Sequence, residues 1–172
     1  MTDLSARFAR VLWPATLVGG LLLVAFALVP WGTTDEGVRP AVTGLGRVSV
    51  PGARPEDVAF LEEHTERPAL VTLALGAVIV VAAAIGWWRP TILQWVVVAV
   101  AALGTVIWTA IVLGDVAGHL FDSRVTEALG DDLPTMTPGY GVVGSLVVAV
   151  VLIGMMGGAV AVGRHSLSPG AS

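Results

Sequence analysis

The chain has 172 residues, 55% of them hydrophobic and 13% charged, with a mean hydropathy of +0.85 and a formal charge of −4. An ordinary soluble domain is about 25% charged and a chain this short buries only roughly 70% of its surface, so the composition excludes a soluble globular domain and a disordered chain. The acidic balance removes the basic footprint of a nucleic-acid binder, and the absence of cysteine excludes disulfides, thiol redox chemistry and cysteine metal sites.

The first long apolar segment runs from Val11 to Trp31, after Arg7 and Arg10. It is long enough to cross the hydrocarbon core, which takes about 20 residues. Ala25-Phe26-Ala27 fits a small-x-small cleavage pattern. The apolar run exceeds the usual length of a signal peptide, and the expectation is that the segment is retained as a span.

A loop over residues 32–68 follows. Val38 to Gly52 alternates apolar and polar residues on either side of Thr43-Gly44-Leu45-Gly46, the pattern of a small β-hairpin. Pro55-Glu56-Asp57 then opens a short helix to His64, because proline at the first position and acids in the first turn favour a helix start. Val58 and Leu61 share its apolar face.

Ala69–Trp88 and Thr91–Gly114 are two further spans, separated only by Arg89-Pro90 and therefore antiparallel. Gln94, Ala101, Thr105 and Thr109 form a stripe of small and polar residues on the third span, read as a helix-packing face. Residues 115–139 make a second loop. In it Val116, Leu120, Phe121, Val125 and Leu129 recur at helical spacing, predicting one amphipathic helix. Tyr140–Gly163 is the fourth span, and a short polar tail over 166–172 is expected to be disordered. The fold class read from these elements is all-α integral membrane. It is a single four-helix bundle with a small extracytoplasmic α/β cap formed by the two loops.

The four spans carry no charged residue. Asp3, Arg7, Arg10, Arg89 and Arg164 fall at one end of the bundle, a net charge of +3, and the two loops hold a net charge of −7 at the other. Arginine beside span ends marks the cytoplasmic side. This places both termini in the cytoplasm and both loops outside a bacterial plasma membrane. Trp31, Trp87, Trp88 and Arg89 are read as interface anchors, since amphipathic rings suit the headgroup level.

Few groups in the chain can carry chemistry. Asp115, His119 and Asp122 stand at i, i+4 and i+7, so on one helix they would share a face and could ligate zinc or manganese. Glu62, Glu63 and His64 could complete such a site from the first loop. Ionisable residues at membrane depth, which carriers and proton relays need, are missing from the spans. No nucleotide, nucleophile-elbow or metalloprotease motif occurs. The sequence therefore implies no cofactor. On the fourth span Gly141, Ser145 and Ala149 form one row of small residues, and Gly154 and Gly158 form a G-x-x-x-G pair on roughly the opposite side. One row is expected to pack inside the bundle and the other to meet a second chain.

Pro30-Trp31 closes the first span, Thr43-Gly44-Leu45-Gly46 lies in the first loop, Trp88-Arg89-Pro90 makes a tight turn, and the last span is Gly-rich and ends in Arg164. In these the chain resembles small four-span membrane proteins of high-GC Gram-positive bacteria, among them the tryptophan-operon-associated transmembrane family. The resemblance implies a topology and assigns no catalytic residue. The function expected is that of a non-enzymatic accessory subunit of a larger plasma-membrane complex, with lipids and other membrane subunits, or a second copy, as partners. The alternatives are a surface metal-binding protein or enzyme using Asp115, His119 and Asp122, and an oligomeric pore or small-solute carrier.

Overall fold

The computed structural model describes residues 3–34, 39–122 and 136–165, with side chains described for all of these except 3–10 and 160–165. The described elements, in chain order, begin with α1 (Asp3–Leu28), β1 (Pro30–Thr33), β2 (Ala41–Thr43), β3 (Val48–Ser49) and α2 (Pro55–Glu63). They continue with α3 (Ala69–Trp88), α4 (Ile92–Gly114), α5 (Val116–Leu120), β4 (Thr137–Pro138) and α6 (Tyr140–His165).

Four of the helices are long and apolar enough to cross a membrane, through Val11–Leu28, Ala69–Trp88, Ile92–Gly114 and Tyr140–Ala159. They form a ring in which α1 packs on α3, α3 on α4, α4 on α6, and α6 back on α1. Burial on α3 is inverted relative to a soluble bundle. On α3 the inward face is Ala69, Thr72, Gly76, Ile79, Ala82, Ala83 and Gly86, while Leu70, Val78, Val81 and Ile85 face outward. Small residues inside let the backbones approach closely, as happens where lipid removes any hydrophobic force between helices. Gly20 and Gly76 mark a close crossing of α1 and α3. A Cβ on Gly20 would lie 3.1 Å from the Gly76 carbonyl oxygen, and one on Gly76 would lie 3.2 Å from that of Gly20. Four helices of this kind fit a multi-pass membrane protein.

Local chemistry sets the helix ends. Pro55 takes the first position of α2, where its missing N–H costs nothing. Thr91 and Gln94 form a capping box at the start of α4, in which the Thr91 amide donates to Gln94 Oε1 at 2.9 Å. Gln94 therefore caps its own helix. Ala101, Thr105 and Thr109 of the same stripe are buried in the bundle.

The hairpin expected over residues 38–52 is present as β2 and β3, with the Thr43 amide donating to the Arg47 carbonyl at 2.8 Å across the turn. It belongs to a larger antiparallel sheet of order β3-β2-β1-β4. The first span was expected to run on to Trp31, but α1 stops at Leu28 and the chain continues directly into β1. Pro30 cannot continue a helix, and the residue before a proline is pushed towards extended backbone. β1 and β4 pair antiparallel, with Gly32 opposite Pro138. Because β1 follows α1 and β4 precedes α6, this pairing ties the first and last spans together at one end of the bundle.

The amphipathic helix expected across the second loop is a correction. The chain breaks at Asp115 and α5 covers only Val116–Leu120, after which Phe121 is extended. Phe121 instead bridges to Thr65 of the first loop. The Glu66 amide donates to the Leu120 carbonyl at 2.9 Å, and the Asp122 amide to that of His64 at 3.0 Å. Pairing with the other loop takes these backbone groups away from the helix. Val125 and Leu129 lie outside the described residues, as does the tail over 166–172.

Sheet, α2 and α5 together form a cap on one end of the bundle. Its core of Trp31, Val42, Val116, Leu120 and Phe121 is continuous with Ala27, Ala69, Val112 and Val142 at the span ends. A second core of Leu12, Leu23, Ile79, Val98 and Leu152 fills the bundle below.

Candidate functional site

Trp31 is the centre of the junction between cap and bundle. Read as an interface anchor, it would lie at the headgroup level with part of its ring in water. Instead it is completely buried, with its Nε1 donating to the Phe26 carbonyl at 2.9 Å. The correction has a physical cause. A buried indole needs an acceptor, and the end of α1 supplies one, because its last carbonyls have no helical partner. Gly44 and Gly141 both press on the ring, and a Cβ on either would collide with it. The amide of Ala69, the first residue of α3, donates to the Gly44 carbonyl at 2.9 Å. Three spans and the sheet therefore meet on one tryptophan.

The other anchors lie at the opposite pole. Trp87, Trp88 and Arg89 are exposed at the α3–α4 turn, Trp88 to 88%. Trp13, on α1 near this end, is buried against Gly86 and stacks obliquely on Trp95 with ring centroids 4.8 Å apart. Its Nε1 has no hydrogen-bond partner.

Asp115, His119 and Asp122 do not share a helical face, since Asp122 falls beyond the end of α5. The Asp115 carboxylate caps α5, accepting from the Gly118 amide at 2.9 Å. His119 Nδ1 lies 2.7 Å from the Asp115 carbonyl oxygen, and its ring meets Trp108 edge-on at 6.2 Å. In the first loop Glu62 Oε1 accepts from the Val48 amide at 3.1 Å, occupying a donor on the sheet edge. The His64 ring stacks on Phe60 at 4.5 Å, with Nδ1 2.9 Å from the Phe60 carbonyl oxygen. Among the described residues no three His, Asp or Glu side chains come together in a way that could hold a metal ion.

Inside the bundle, Thr16, Thr72, Thr105, Thr109 and Ser145 are fully buried. Thr16, Thr105, Thr109 and Ser145 each donate to the carbonyl four residues back, at 2.7–2.9 Å. Thr72 is the exception and has no partner. The carbonyl it would use belongs to Pro68, and Trp108 Nε1 already donates there at 2.8 Å.

The two rows on α6 have different surroundings. Gly141, Ser145 and Ala149 are buried against the neighbouring helices. Gly154 and Gly158 are exposed, and a Cβ added to either, or to Gly157, would meet nothing within 4 Å. The α6 span is also the least buried of the four, at 28%.

Sequence reasoning missed the Gly20–Gly76 crossing and the Trp13–Gly86 contact. The available signal was the spacing on α3, where Ala69, Thr72, Gly76, Ala83 and Gly86 fall on one face, interrupted by Ile79.

The chain matches no protein-family model, no curated protein and no solved structure.

Proposed function

We propose that the chain is a non-enzymatic multi-pass protein of a bacterial plasma membrane, with the cap outside and both termini in the cytoplasm. In this reading it is an accessory subunit of a larger membrane complex. The observation that carries the reading is the exposed glycine face of α6. A span surrounded by lipid gains nothing from bare backbone at its surface, whereas small residues let a second helix approach closely. Gly154 and Gly158 sit one turn apart on the exposed side, with open space in front of both. The cap holds the outer ends of α1 and α6 in fixed register through β1 and β4, which keeps that face presented. The buried hydroxyls of Thr16, Thr105, Thr109 and Ser145, engaged by their own helices' carbonyls with Thr72 the exception, favour this reading over a carrier, which needs polar groups free to bind a solute.

The test is affinity purification of the full chain in a mild detergent, with identification of stoichiometric partners. Gly154→Ile and Gly158→Ile are expected to abolish co-purification while leaving the chain folded, since a Cβ at either position meets nothing within 4 Å. Unchanged assembly in the double variant would overturn the proposal.

A further inference from the structure

Two open apolar grooves flank the same half of α4. One, of about 390 Å³, lies between α3 and α4 and is lined by Val81, Ile85, Leu93 and Val97 among others. The other, of about 510 Å³, lies between α4 and α6, with Trp95, Ala99, Ile153 and Gly157 in its walls. Both belong to the half of the bundle away from the cap. Both reach the first turn of α4, at Ile92 in one case and at Leu93 and Gln94 in the other.

Charge converges on the same place. The start of a helix carries the equivalent of roughly half a positive charge. The exposed Arg89, three residues before Ile92, adds a full one. The described acidic side chains, from Glu56 to Glu66 and at Asp115 and Asp122, all belong to the cap at the other end. Among the described residues Arg89 has no ion-pair partner.

We propose that these features form one lipid site, on the premise that the four long helices span a bilayer. An anionic diacyl phospholipid of the leaflet opposite the cap straddles the start of α4. One acyl chain lies in each groove, and the phosphate sits over the α4 N-terminus beside Arg89. Charge complementarity decides the occupant: Arg89, exposed and without an ion-pair partner among the described residues, stands beside the grooves and calls for an anionic headgroup. Within a bilayer an acyl chain gains no hydrophobic advantage from a groove. The headgroup must supply the preference, as in basic headgroup pockets between spans.

The experiment is native mass spectrometry of the full chain in detergent, offered phosphatidylglycerol or phosphatidylcholine with identical acyl chains. One phosphatidylglycerol is expected to be retained per chain, about fivefold in preference to phosphatidylcholine, the ratio one surface arginine supplies. Arg89→Gln is expected to erase the preference. Ala99→Leu and Gly157→Leu, which fill the larger groove from opposite walls, are each expected to reduce retention of either lipid several-fold. Gly157→Leu meets no neighbour within 4 Å at its Cβ, so folding is preserved. Equal retention of both lipids by the parent chain, an Arg89→Gln variant with its preference intact, or full retention in both groove-filling variants would overturn the proposal. A lipid-free dimer lost in Ala99→Leu would also overturn it, by assigning the groove to a second copy. Arg89 belongs to the α3–α4 turn and Gly154 and Gly158 to α6, so failure of the headgroup variant and failure of the accessory reading are read out separately.

Discussion

Thr72 is the sharpest test of the bundle interior. Its hydroxyl is fully buried and unpaired, because the indole of Trp108 occupies the Pro68 carbonyl. An unsatisfied buried hydroxyl costs about 1–3 kcal/mol, and hydrogen bonds between spans average only about 0.6 kcal/mol. Valine has nearly the volume of threonine and no polar atom. Thr72→Val should therefore stabilise the protein by about 1 kcal/mol, where the same change at Thr105 should destabilise it by about 0.5–1 kcal/mol through loss of its bond to the Ala101 carbonyl. The cause can be separated with a second variant. Trp108→Phe frees the Pro68 carbonyl, and Thr72 then has the i−4 acceptor that Thr16 and Thr109 use. In that background Thr72→Val should be neutral or destabilising, so the effect changes sign. The assay is reversible unfolding in mixed micelles followed by far-ultraviolet circular dichroism, analysed as a double-mutant cycle. A loss of about 1 kcal/mol for Thr72→Val in the parent chain would refute the reasoning, because it would mean that the hydroxyl has a partner.

The remaining predictions address the cap and the two faces of α6. Gly141→Ala drives a methyl into the Trp31 indole and the Phe26 carbonyl, so it should cost about 1–3 kcal/mol in the same assay, the usual penalty of overpacking. Gly154→Ile alone, with open space around it, should change the stability of the isolated chain by less than about 0.5 kcal/mol. Glu62→Ala leaves the Val48 amide without its acceptor and should cost about 1 kcal/mol. Faster hydrogen exchange should be confined to the sheet edge, and Glu62→Gln should retain most of the protection. Asp115→Ala removes the cap of α5 and should cost about 1 kcal/mol, while Asp115→Asn should be nearly silent.

Features whose cause is local were legible in the sequence, and features set by distant contacts were not. The bounds of the second and third spans follow from long uncharged segments and from Pro68 and Pro90 beside them. The start of α2 was marked by Pro55-Glu56-Asp57, and the β2–β3 turn by Thr43-Gly44-Leu45-Gly46. Each of these is decided within a few residues. Trp31 was misread because proximity to a span end suggests an anchor, whereas its real environment comes from Gly44 and Gly141, both far away in sequence. The second loop was misread as one helix because Leu120 and Phe121 keep helical spacing. Strand pairing with residues 64–66 wins there, and no periodicity reveals a partner from another loop. The candidate metal residues failed with that helix, since their shared face depended on it. On α6 the two glycine rows were visible as a pattern, but which row faces the bundle depends on where α1 and α4 lie.

The charge of −4 conceals a partition, with +3 at the pole of Arg89 and −7 in the two loops. Taken as an orientation, that partition puts the acidic cap outside the cell and Arg89 at the cytoplasmic face. Because the chain has no cysteine, single-cysteine labelling in intact bacterial cells tests it without background. Glu56→Cys, on the exposed side of α2, should react with a membrane-impermeant maleimide in intact cells, and Ser168→Cys should react only after permeabilisation. Labelling of Ser168→Cys but not Glu56→Cys in intact cells would contradict the account. It would place the acidic cap in the cytoplasm and with it the lipid site of α4 in the outer leaflet.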